Sequence, residues 1–173
     1  MSKTWAWGDL HLGHKNIITF TDKNGNRIRP FRDIQEHDWT LINNHNMLVS
    51  PEDRVYFFGD LAFNATNLDM LKYFNGRKAL IMGNHDTLRP SQYARYFDKI
   101  LAYRVYHKAK VICSHIPVHT SQMERFTLNI HGHTHANKVL IEGTQVEDKR
   151  YICICPEHTN FKPVLLTDYF ELG

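Results

Sequence analysis

Short apolar runs recur along the chain, and each stops at a tip bearing an acidic, histidine or asparagine side chain. Residues 4–7, 55–58, 79–82 and 111–113 are apolar stretches that read as strands. Between them the apolar positions follow a helical period. Asp33, with Glu36 three residues on, makes a capping-box-like start for a helix through about Leu48, whose Ile34, Leu41, Ile42 and Leu48 face the core. Thr66 caps a second predicted helix, with Leu68, Leu71 and Phe74 inward and Asn75-Gly76 as its stop. Residues 14–20 and 90–97 read as shorter helices, and 21–30 as a turn-rich loop. From Lys99 the texture changes: 100–106 and 110–113 read as two strands joined by a tight turn at Lys108-Ala109, and 128–130, 138–141 and 150–154 add more. A β-α-β-α-β first half and a strand-rich second half predict an α/β fold, with two sheets packed face to face and helices outside.

With 173 residues, 42% hydrophobic and 23% charged, the chain has the size and composition of one globular domain with a substantial core. A net charge of +3 without a basic stripe argues against a long nucleic acid as partner. No apolar run approaches the roughly 20 residues that span a bilayer, and the first residues lack the apolar core of a signal peptide. No membrane partner and a cytoplasmic location are therefore expected. Three cysteines form no disulfide framework; Cys153 and Cys155, two apart, share one face of a strand and read as small hydrophobes in a sheet, with a thiolate ligand or redox pair as the alternative. Twelve histidines are the compositional outlier, which a metal site accounts for economically.

The strand tips carry five motifs in order: Gly8-Asp9-Leu10-His11, Gly59-Asp60, Gly83-Asn84-His85-Asp86, Ser114-His115 and Gly132-His133-Thr134-His135. Open α/β sheets gather ligands beyond the carboxyl ends of their strands, so these tips can converge on one crevice. This ordered set, D-x-H, G-D, G-N-H-D, a lone His and G-H-x-H, resembles the calcineurin-like metallophosphoesterase superfamily over residues 9–135, in its short, uncapped form. The resemblance implies a four-layer αββα sandwich of two mixed β-sheets flanked by helices, as a single domain over 1–173. Position by position, it implies that Asp9, His11 and His135 hold a first metal ion and Asn84, His115 and His133 a second. Asp60 would bridge the two, one carboxylate oxygen for each cation. It further implies a hydroxide between the metals as nucleophile, with His85 as the catalytic histidine at the leaving oxygen. Asp86 would fix the His85 tautomer through the other ring nitrogen, a turn cap being its plainer role.

Ser114 departs from the glycine usual before the lone histidine, and His119 follows four residues later as a rival ligand; position directly after a strand favours His115. His14 reads either as a residue on the substrate side or as a helix start, and His131 either as a partner of a ligand or as structural. His37, His45, His107 and His158 read as solvated or core-satisfied. Lys15, Arg29, Arg32 and Arg125 are the basic residues nearest the motif loops, candidate phosphate contacts or plain surface charges. Nitrogen and oxygen donors without thiolate suit two divalent ions, manganese foremost, with iron, nickel, cobalt or zinc also fitting. The expected function is hydrolysis of phosphodiester bonds in small, cyclic or nucleotide-like esters. A nucleotide phosphomonoesterase and a nuclease are rivals in the same chemistry. A non-catalytic binding scaffold is the rival from another class, disfavoured because neither an expected donor nor His85 is missing.

Overall fold

The computed structural model describes residues 2–171; the single-domain expectation also includes Met1, Leu172 and Gly173, which lie outside them. Strands β1 (Thr4–Trp7), β2 (Arg54–Phe57), β3 (Arg77–Ile81) and β4 (Lys99–Leu101) run parallel, and β9 (Val164–Leu165) joins antiparallel, in the order β4-β3-β2-β1-β9. A second sheet is ordered β5-β6-β7-β8: β5 (Tyr103–Tyr106) is antiparallel to β6 (Val111–Ser114), whereas β7 (Leu128–His131) and β8 (Tyr151–Cys153) run parallel to it. Both sheets are mixed, as expected.

Because successive side chains on a strand face opposite ways, the first sheet feeds two cores. Trp5, Trp7, Val55, Phe57 and Leu80 pack with Leu41 and Ile42 of helix α1 (Ile34–Leu48). Ala6, Phe58 and Ile81 face the other way and meet Val111, Cys113 and Ile130 of the second sheet and Ile154 just beyond it. Burial on both faces is why these strands read as continuous apolar runs. Truncating a side chain such as Phe57, with no exposed surface, should cost about 3–5 kcal/mol.

Helical cover lies mainly on one side. Asp33 caps α1 by accepting from Glu36 N, while the Glu36 carboxylate turns back to Arg32 N, one residue before the cap. The buried face of α1 includes His37, Asp38 and His45, and the expected core residue Leu48 is 40% exposed. The outer face of the second sheet carries a 3₁₀ turn (Thr120–Glu124) and loops instead of a full helical layer. There the buried Asn129 amide donates to Ile112 O and Ser114 Oγ and accepts from Val118 N.

Several elements differ from the sequence expectation. The predicted strand 100–106 is two: β4 ends the first sheet, and after Ala102 the chain crosses to start the second as β5. Residues 138–141 form no named strand, only the bridge Leu140↔Glu147. Asn64, not Thr66, caps the second helix α2 (Ala65–Leu68), which passes into a 3₁₀ turn (Asp69–Tyr73); α3 (Pro90–Tyr93) is short, and the predicted helix 14–20 is a 3₁₀ turn (Lys15–Ile18). Among the described residues no helix is long and apolar enough to cross a membrane.

Candidate metal centre

The parallel registers bring the motif tips level. Trp7 pairs with Phe57, Phe57 with Leu80, and Ser114 with His131. Backbone bonds continue past the strand ends: Asp9 N to Gly59 O at 2.9 Å, His11 N to Asp60 O at 3.0 Å and Gly132 N to His115 O at 2.9 Å. At these tips the backbone is bent hard. Asp9, His11, Asp60, His133 and His135 have φ of 55°, 49°, 51°, 68° and 49°, a left-handed conformation uncommon for non-glycine residues and typical of functional loops. Two glycines leave room for the carboxylates. A Cβ on Gly83 would stand 2.2 Å from Asp60 Oδ1, and one on Gly132 would stand 2.2 Å from Asp9 Oδ2.

Two groups of donors result, Asp9 with His11 and His135, and Asp60 with His115 and His133, each with ligand atoms within 4.8 Å of one another. Asn84 joins the second group, its Oδ1 being 2.9 Å from His115 Nε2. Asp60 stands between them: Oδ2 is 3.8 Å from His11 Nε2 and 3.5 Å from His115 Nε2. Oδ2 thus faces both groups, while Oδ1 accepts from His85 N at 2.9 Å. The seven residues expected as metal ligands thus come together as two groups that can hold metal ions.

Their chemistry fits cations. Both ring nitrogens of His11 are buried without a hydrogen-bond partner among the described residues, so a nitrogen is free to bind a cation. Burial, with the charges of Arg29 and His135, pushes His11 down to about 2, so its ring stays neutral with a free lone pair. Burial raises Asp9 to about 6 against the pull of His115, His135 and the His133 N–H. Burial opposes charge on His115, yet its hydrogen bond to Asp60 and the negative charge of Asp9 raise it to about 9. That ring donates Nδ1–H to Phe58 O at 2.6 Å, which leaves Nε2 for the centre.

At the mouth, His85 is exposed and its ring stands 5.0 Å from Phe63 and 6.0 Å from His11. The expected contact between Asp86 and this ring is not formed. Asp86 is buried and accepts from three backbone N–H groups: Asp60 at 2.9 Å, Leu61 at 3.1 Å and Gly83 at 2.8 Å. It braces the loops under Asp60 and does not reach the imidazole above. His14 lies on the rim, 4.7 Å from the Phe63 ring. His119 belongs to neither group; its Nδ1 accepts from Ser121 N at the start of a 3₁₀ turn. Ser114 fits where glycine was expected because its hydroxyl turns away, donating to Ile116 O. His131 is structural, its Nδ1 donating to Gly132 O.

Glu157 went unrecognised in the sequence, and Arg29 and Cys155 have roles other than those expected. Arg29 has no exposed surface and so is no phosphate contact; it donates to Asp9 O, Leu10 O and Glu157 Oε1. Glu157 accepts from His135 Nδ1 at 3.0 Å. Cys155, read as a small hydrophobe, donates its thiol to Asp9 Oδ2 at 3.2 Å, and burial pushes that thiol well up so that it keeps its proton. The signal was present: Cys155-Pro156-Glu157-His158 directly follows the run 150–154, another polar tip after a strand, but without the neighbouring glycine that marks most of the other tips.

No protein-family model matches the chain. It is 34% identical over 176 residues to the uncharacterized protein MJ1445 of Methanocaldococcus jannaschii, across 96% of this chain and 88% of that protein. It is 31% identical to the gene 66 protein of Mycobacterium phage L5 across 81% of each chain. With the gene 66 protein of Mycobacterium phage D29 the identity is 30%, across 87% of this chain and 86% of the other. The crystal structure of AQ665 from Aquifex aeolicus, a protein of unknown function, superposes with a TM-score of 0.69 at 26% identity over 97% of each chain. Extended similarity at these levels leads to one conclusion: the chain belongs to the family of the archaeal MJ1445 protein and the mycobacteriophage gene 66 proteins.

Proposed function

We propose that the chain is a metallophosphoesterase of the calcineurin-like type, a two-metal enzyme that hydrolyses phosphodiester bonds of small, nucleotide-like substrates. The observation that carries this reading is Asp60 Oδ2, placed between two Asp/His groups at 3.8 Å from His11 Nε2 and 3.5 Å from His115 Nε2. Asp9, His11 and His135 would hold one ion, Asn84, His115 and His133 the other, and Asp60 would serve both. Two such ions would supply an activated water and neutralise charge on the phosphoryl oxygens. Nitrogen and oxygen donors suit manganese, iron, cobalt, nickel or zinc.

The remaining residues divide the work. His85, exposed at the mouth beside His11, would give a proton to the leaving oxygen. Asp86 keeps the backbone of Asp60 and Gly83 fixed beneath it. Phe63 and Phe20, 40% and 48% exposed, flank His14 and offer flat apolar surface to a nucleobase.

The test is a panel assayed with added manganese: bis(p-nitrophenyl) phosphate, p-nitrophenyl phosphate, a cyclic nucleotide and thymidine 5′-p-nitrophenyl phosphate. Diesters should turn over, and Asp60→Ala should lose both turnover and metal by elemental analysis. Full retention of two metals in Asp60→Ala, or a two-metal parent that cleaves no ester, would refute the proposal.

A further inference from the structure

His135 stands on a strained loop tip with 26% of its side chain exposed, so its ring needs an external restraint to present one chosen nitrogen. Nε2 faces Asp9 Oδ1 at 3.9 Å, while Nδ1 meets Glu157 Oε1 at 3.0 Å. That oxygen is itself fixed, because Arg29 Nε donates to it at 2.8 Å from a position without solvent exposure. The same guanidinium donates through Nη2 to Asp9 O at 2.6 Å. One buried cation therefore ties the backbone of one first-group donor to the carboxylate that restrains another.

Among the described residues the second group has no counterpart. His115 is held by a backbone carbonyl, and the His133 ring makes no hydrogen bond among the described residues. Charge differs as well. The first group faces two carboxylates, its own Asp9 and the shared Asp60, whereas the second has Asp60 with the neutral Asn84. Glu157 and Arg29 cancel each other, so their contribution is orientation, not net charge.

We propose that Glu157, held by Arg29, is a positioning residue that locks His135 as its Nδ1–H tautomer with Nε2 turned inward, making the Asp9–His11–His135 subsite the pre-formed and tighter of the two. This rests on the reading of those residues as metal ligands. Carboxylates placed behind ligand histidines typically govern metal affinity by about 10- to 100-fold.

The experiment is Mn²⁺ titration of the full chain, followed by the EPR signal of the free ion. Glu157→Ala should weaken the tighter of two binding steps by about 10- to 100-fold and leave the weaker one unchanged. Glu157→Gln should restore most of the loss, since its amide oxygen can still accept from His135 and Arg29. In a His133→Ala background, which removes a second-subsite donor, the tight step should persist and still respond to Glu157→Ala. Unchanged binding in Glu157→Ala would overturn the proposal. Independently of metal, ¹⁵N NMR of the metal-free parent, at a pH where the ring is neutral, should show His135 protonated on Nδ1. Protonation on Nε2 would overturn it too, and decides the matter even if Glu157→Ala fails to fold. A parent that binds no Mn²⁺ would sink the metal reading and the ranking of subsites, while the NMR result would still report on the Glu157 restraint.

Discussion

Replacing Asp86 by alanine would strand three backbone donors at once. The carboxylate is buried, and it accepts from Asp60 N and Gly83 N through Oδ2 and from Leu61 N through Oδ1, at 2.9, 2.8 and 3.1 Å. A buried donor left without a partner costs about 1–3 kcal/mol. Water entering the vacated space can satisfy one of them, which leaves two unpaired and sets the loss at roughly 2–6 kcal/mol. In a chain of this size each kcal/mol moves the midpoint by about 2–4 °C, so metal-free Asp86→Ala should melt roughly 4–24 °C below the parent. Asp86→Asn keeps an oxygen for Asp60 and Gly83 but turns its amide N–H against Leu61 N–H. It should lose one bond, about 1–3 kcal/mol. Differential scanning calorimetry of parent, Asn and Ala should rank them in that order. An alanine variant melting within about 2 °C of the parent would refute the bracing role. An asparagine variant with full stability and little turnover would instead support the His85-orienting role expected from the sequence.

Metal binding should be coupled to protons. His115 must be neutral to offer Nε2, yet in the metal-free fold it is raised from 6.5 to about 9. Its contribution to metal-free stability is fully present below 6.5 and is lost as pH rises through 9. Between those limits Mn²⁺ must displace a proton, so apparent affinity should climb about tenfold per pH unit. Calorimetric titration at pH 7.5 in buffers of different ionisation enthalpy should find about one proton or more released, and none released would contradict this electrostatic account. His85→Ala should keep both metals and lose most turnover, most severely for poor leaving groups. Equal rates for variant and parent on a p-nitrophenyl ester and an alkyl diester would remove His85 from the chemistry.

The parallel strands were legible because both their faces are buried, so the apolar runs ending at Trp7, Phe58 and Met82 stood out without knowledge of their partners. The donors were legible for a related reason: each follows a strand, and most sit beside a glycine that the crowding at Gly83 and Gly132 requires. What a linear pattern hides is contact across the fold. The crossover at Ala102 is a choice between two sheets, and apolar runs on either side of it look alike. Asp86 and His85 are neighbours in sequence, which suggested contact, but three inward N–H groups outcompete one ring that points to the mouth. Arg29 and Glu157 lie 128 positions apart, and only folding makes them a pair.

The left-handed backbone at Asp9, His11, Asp60, His133 and His135 has an evolutionary corollary. Glycine relaxes such a position, whereas a side chain there stores on the order of 1 kcal/mol or more. Selection for a sturdy fold alone would therefore erase these five residues while sparing the strands that carry them. A lineage released from its need for cations should betray itself first by glycines creeping into these corners, with the sandwich beneath intact.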